Sequence, residues 1–277
     1  MSIRVRLEQR GTASRRWAPR RSHPVSGTQV VAAYSVAIGV GEVVGALGWV
    51  IPGAMLDAAL VPILLGHFVW VERTPHRKLL PVLALVAMLR VLSIAAVVPR
   101  LPVVTWYVTV GSALLIGEIL TIRLVEEPWE RLNLALRRPV LDLAIAAIGI
   151  PAGLIGYLVL RPQPLMPGAG PLQIAAGVVV LVVFAAFTEE LLFRGLLQSI
   201  AIETFGIWRL GMAYAAGMSG VMYLGSGSLP YTIGVGVYGL ILGATILRGG
   251  SLWGAIASHG LALVGMAFVW PIVVGSG

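Results

Sequence analysis

The chain has 277 residues, of which 58% are hydrophobic and only 12% charged, with a formal net charge of +8 and no cysteine. A soluble domain carries about 25% charged residues, so this chain cannot cover a water-facing surface and reads as a polytopic membrane protein. Disulfides and thiolate metal sites are excluded, and nucleic acid is not the expected partner, because the arginines lie between apolar runs, where they set topology.

Residues 1–28 hold seven arginines against one acid, Glu8. They read as a disordered cytoplasmic tail whose guanidiniums touch anionic headgroups. The Arg15-Arg16 pair invites an export signal, but the next apolar run contains Glu42 and lacks a small-x-small cleavage site, so it reads as a retained first span. Apolar windows follow near 30–51, 54–71, 79–98, 102–122, 140–160, 172–193, 210–224, 231–247 and 251–274. Most have the roughly 17–25 residues a crossing needs; the window at 210–224 is short. With the tail in the cytoplasm and alternating spans, only Arg100 and Arg161 fall outside and Arg90 lies within a span, while every other basic residue is inside. That bias orients the chain with its N-terminus in and its C-terminus out.

The expected fold is therefore all-α, a polytopic transmembrane helical bundle of about eight or nine spans in a bacterial cytoplasmic membrane, with the lipid bilayer as its first partner. A four-span group (29–125) is followed by Glu126–Arg138, charged residues mixed with Trp129, Leu132 and Leu136. Acidic at its start and basic at its end, residues 126–139 read as an interfacial helix. A five-span group (140–277) closes the chain. The Pro162, Pro164, Pro167 and Pro171 cluster marks an outside loop. The glycines scattered through the spans read as packing positions.

Three charges lie inside spans: Glu42, Arg90 and Glu118. Glu42 and Arg90 are each about a dozen residues from the cytoplasmic end, hence about 18 Å deep. Matching depth favours a buried pair, with Glu118 as a second partner for the arginine; a proton or ion pathway is the alternative. Asp57 and His67, near opposite ends of the second span, read as interfacial.

The sequence is organised around Phe187-Thr188-Glu189-Glu190-Leu191-Leu192-Phe193-Arg194. The 16 residues from Leu172 to Phe187 carry no charge; two adjacent carboxylates and an arginine then follow. On a helix Glu190 and Arg194 lie one turn apart and can pair. Glu189 is rotated by about 100° and is left available. A structural salt bridge needs only one of the two.

This Glu-Glu-x-x-x-Arg motif closing an apolar helix resembles the first motif of the CPBP family, the CAAX proteases and bacteriocin-processing enzymes. The segment Gly239–Gly243, the turn at Arg248-Gly249-Gly250, and Ser251-Leu252-Trp253 leading to His259 look like that family's last motif. The resemblance covers about residues 170–265. It implies endopeptidase cleavage within the membrane, with Glu189 as the water-activating base, Glu190 and Arg194 as its supporting pair, and His259 as the oxyanion donor. Donors aimed at developing negative charge lower such a barrier. A membrane protein or peptide would be the substrate or partner.

Two positions depart from the family pattern. Tyr223 stands for the Phe and Gly227 for the His of the Phe-x-x-x-His motif, and Leu263 occupies the place of an Asn or Asp four residues after His259. Tyr223 or Ser226 could stand in for the absent histidine. No cofactor follows from the residues. The glutamate pair and His259 could hold a divalent ion such as zinc only with water or a distant ligand such as His67, since three protein ligands are the usual minimum. Three functional readings stay open: a divergent intramembrane endopeptidase; a non-catalytic member that keeps Glu, Arg and His as a polar clamp and binds or assembles a membrane partner; and an ion- or proton-coupled transporter built on Glu42, Arg90 and Glu118.

Overall fold

The computed structural model describes residues 24–71, 74–97 and 101–275, so the first 23 residues of the basic tail, Arg73 and Arg100 fall outside the description. Among the described residues every regular element is helical. The elements are α1 (Pro24–Ala46), α2 (Val50–Trp70), α3 (Leu79–Val97), α4 (Val103–Leu124), α5 (Pro139–Leu160), α6 (Pro171–Phe205), α7 (Trp208–Val221), α8 (Leu229–Leu247) and α9 (Leu252–Val273). All but α7 are long and apolar enough to cross a membrane, eight in number. The molecule is an integral, multi-pass helical membrane protein, as the composition requires.

The window at 210–224 becomes α7, whose 14 residues rise about 21 Å and fall short of the roughly 30 Å hydrocarbon core. It folds back on α8 as an antiparallel pair: Gly220 lies against Thr232 and Gly236, Gly239 against Ala216, and Gly243 against Met212. The C-terminal group thus has four full-length helices and one short one. The 172–193 window extends to Phe205, giving α6 35 residues and a length of about 52 Å. Gly206, at φ 66, ends it with the left-handed cap that glycine adopts without strain.

A second expectation is corrected between α4 and α5. Residues 126–139 do not form an interfacial helix; they make a single 3-10 turn, Trp129–Leu132, within irregular chain. Glu126 at φ 53 and Asn133 at φ 55 lie in the left-handed region, and the proline at 128 lacks a backbone donor, so helix cannot run through. Charge periodicity alone did not reveal these breaks.

The core is built on α3, whose residues 79–87 are all buried. α5 and α9 run side by side in the same direction, with Gly149 against Ser258 and Gly153 against Ala262. This pair of small residues four apart lets two backbones approach closely. One end of the bundle gathers the charged connections. Lys78 Nζ lies 3.2 Å from Glu127 Oε2, Arg131 pairs with Glu203, and the Leu252 N–H donates to the Asn133 carbonyl at 2.8 Å. At the opposite end lies the 161–170 loop, where the Leu165 N–H donates to the Ala267 carbonyl at 3.0 Å.

Candidate active site

Glu189 and Glu190 sit in the middle of α6, where the helix loses its regular period. Two π-helical stretches, Val182–Phe187 and Leu191–Leu197, flank Thr188-Glu189-Glu190. Such widened turns occur as single-turn bulges and concentrate at functional sites. Thr188 contributes locally, since its hydroxyl donates to the carbonyls of Phe184 and Ala185 at 3.0 and 3.1 Å. A side chain that bonds back to the preceding turn competes with the regular backbone ladder.

The two carboxylates have different surroundings. Glu190 is fully buried and takes Arg194 Nη1 at 3.2 Å and His259 Nδ1 at 2.9 Å, both on Oε1. Arg194 is itself buried, and its guanidinium lies against Gly239 of α8, where an added Cβ would approach it to 2.7 Å. Glu189 keeps 18% of its side chain exposed and accepts a hydrogen bond on Oε2 from the Tyr223 hydroxyl at 2.7 Å. His259 Nε2 stands 4.0 Å from the same oxygen. With its Nδ1–H donating to Glu190, the His259 ring is held so that Nε2 faces Glu189. The ring also meets Tyr238 edge-on, at 6.4 Å between centroids, and the Tyr238 hydroxyl is hydrogen-bonded to Ser258 at 2.8 Å.

Glu189 opens into a cavity of about 510 Å³. Its wall is largely apolar and aromatic, with Trp106, Tyr107, Phe184 and Tyr231 among the lining residues, and Leu263 faces it where the family pattern has an amide or acid. The four residues expected at the site, Glu189, Glu190, Arg194 and His259, are therefore brought together. Tyr223 is the group that reaches Glu189 in place of a histidine, whereas Gly227, at φ 71, caps an exposed turn. Tyr107 and Tyr231 carried no sequence signal, because an aromatic residue in an apolar span reads as packing.

One ion pair of the N-terminal half also reaches this region. Arg90 Nε donates to Glu42 Oε1 at 2.6 Å, its Nη2 pairs with Glu42 Oε2, and Nη2 also donates to the Met222 carbonyl at 2.7 Å. Glu42 and Arg90 are a buried pair, and the arginine holds the residue preceding Tyr223. Glu118 does not join them: it is fully buried and its carboxylate has no hydrogen-bond partner. Asp57 is not interfacial either, since it is fully buried beside Gly41 of α1. His67 Nδ1 is hydrogen-bonded to the Tyr34 hydroxyl, at 2.9 Å, and not to the glutamate pair. Among the described residues no group of three or more His, Asp or Glu side chains is placed to hold a metal ion. At the glutamate pair, Glu190 Oε1 is taken by both Arg194 and His259 Nδ1.

Residues 171–264 match the family model described as type II CAAX prenyl endopeptidase Rce1-like. The match runs from the start of α6 past His259 and leaves α1–α5 outside it. This segment carries an Rce1-like CAAX protease domain, consistent with membership of the CPBP family. No curated protein and no solved structure matches the chain.

Proposed function

We propose that the chain is an intramembrane endopeptidase in which Glu189 is the base. The observation that carries this reading is the inequality of the two carboxylates: Glu190 is sealed, with Oε1 held by Arg194 and His259, while Glu189 alone is open to the cavity. Glu189 takes a proton from a cavity water, and the resulting hydroxide attacks the scissile carbonyl carbon. The carbonyl oxygen becomes an oxyanion, received by Nε2–H of the His259 imidazolium while Nδ1–H stays on Glu190. The proton on Glu189 then passes to the leaving amine as the C–N bond breaks, giving a carboxylic acid and an amine. The Tyr223 hydroxyl holds Glu189 Oε2 and fixes which lone pair faces the water.

The test is cleavage of a membrane-embedded reporter peptide by the reconstituted full chain. Glu189→Gln keeps the shape and removes the base, so turnover falls by about 10²–10⁴-fold. Undiminished cleavage by that variant sinks the mechanism. A second reading, a non-catalytic clamp, draws on Leu263 at the family's donor position and on the direct His259–Glu190 bond. It predicts that the wild-type chain cleaves nothing, while His259→Ala lowers thermal stability.

A further inference from the structure

The depth of the site and the side from which it is reached do not agree, and the disagreement is informative. His259 is seven residues from the start of α9 and 14 from its end, so the glutamates lie about 10 Å from one end of the bundle and about 21 Å from the other. The nearer end is the charged one, where Lys78, Glu127, Arg131 and Glu203 meet. Toward that end the site is closed: residues 190–198 of α6 are buried without exception. Leu191, Leu192, Phe193, Leu196 and Leu197 form part of the main core. The cavity runs the other way. Its wall takes in Trp106 near the start of α4, Ala267 in the last two turns of α9, and Pro162, Gln163 and Leu165 of the 161–170 loop. Gln163 and Ser226 on this wall are exposed.

We infer that the cavity opens on the face opposite the arginine-rich one, so that the site is reached from the non-cytoplasmic side and receives an apolar polypeptide segment offered there. Arg77, Lys78, Arg123, Arg131, Arg137, Arg138, Arg209 and Arg248 all belong to connections or helix ends at the charged end, and such a bias is retained in the cytoplasm. The lining sets the substrate's character. A cavity of this volume is in the range of ligand sites, and its apolar wall offers few partners to a polar chain, so a membrane-resident stretch is favoured over a soluble one. The polypeptide character rests on the peptidase reading; the direction of access does not.

The chain has no cysteine, which makes the test direct. Single substitutions Gln163→Cys, Ser226→Cys and Leu263→Cys are exposed in intact cells to a cationic, membrane-impermeant methanethiosulfonate, with Leu136→Cys as the control at the charged end. The expected result is labelling of the first three from outside, and of Leu136→Cys only after the membrane is opened. Labelling of Leu136→Cys alone in intact cells, or of Leu263→Cys only from the inside, overturns the assignment. Ala267→Cys, on the same wall, replaces Leu263→Cys if that variant misfolds. For the substrate, a span-length peptide of leucine and alanine, incorporated from outside, should slow labelling of Leu263→Cys. Slowing by lysolipid to the same extent without peptide overturns the polypeptide assignment. Labelling needs no turnover, so a failed cleavage assay leaves the direction of access independently decided.

Discussion

Each half of the molecule buries one glutamate–arginine pair, and the two pairs are built differently. In the N-terminal half Arg90 of α3 grips both oxygens of Glu42 on α1, and its remaining reach goes to the Met222 carbonyl. In the Rce1-like segment Arg194 meets Glu190 one turn earlier on its own helix, through a single oxygen that is shared with His259. A pair formed across helices is geometrically saturated and works as a fastener. A pair formed within one helix leaves the carboxylate able to orient a third group. The difference separates two charges that tie helices together from two that orient a neighbouring histidine, although in the sequence all four are ions in apolar runs.

Breaking the second pair should have the largest effect. Arg194→Leu leaves a fully buried carboxylate with only His259 as its partner, and removing one partner of such a pair costs about 3–5 kcal/mol. Thermal unfolding of the purified chain measures this. A drop no larger than that of a surface variant would show that Glu190 finds another partner. Arg90→Leu should cost less, about 2–3 kcal/mol, because 22% of the Arg90 side chain is exposed and water can reach the stranded group. Replacing both Glu42 and Arg90 with leucine should recover most of that loss while leaving Met222 untethered. Peptidase turnover then falls although stability returns, which separates fastening from positioning.

A finer probe is Tyr223→Phe, which removes only the hydrogen bond to Glu189. Losing a bond to a charged acceptor costs about 1.5 kcal/mol, close to tenfold in turnover, with little change in unfolding temperature. Unchanged turnover would remove Tyr223 from the site. Least of all should be Lys78→Met at the charged end, about 1 kcal/mol, because the ammonium is partly exposed and the buried Glu127 keeps Arg131 at 3.7 Å and Ser199 at 3.3 Å. A large effect there would mean that this end is more closed than its exposure indicates.

Hydropathy made most of the architecture legible, because a span must satisfy its own backbone and be apolar over a fixed length. It could not show that 210–224 stops short and folds back on α8, since an apolar run of 15 residues serves a half-span or a buried helix equally. Glu189, Glu190, Arg194 and His259 were legible for a different reason: ions are costly in apolar surroundings, so their presence needs a purpose. Thr188 gave no such sign, yet its back-bonded hydroxyl accompanies the widened turns that present Glu189. Asp57 is not legible as a buried group, because nearness to a window's end implies nearness to water, whereas the packing of α1 on α2 closes over it. Tyr223 is visible as a tyrosine in the right neighbourhood, but only the fold shows that its hydroxyl, and nothing from residue 227, reaches Glu189.

The Arg90–Met222 contact also bears on modularity. The matched segment begins at residue 171, yet the loop carrying Tyr223 is held by an arginine on α3, and the face of α9 that carries Ser258 and Ala262 is covered by Gly149 and Gly153 of α5. Excised at the borders of the match, the segment would keep every candidate catalytic residue and lose two of the supports that aim them. In this chain the domain recognised by similarity is therefore smaller than the unit that holds the candidate site together, and moving that site intact would require α1, α3 and α5 to travel with it.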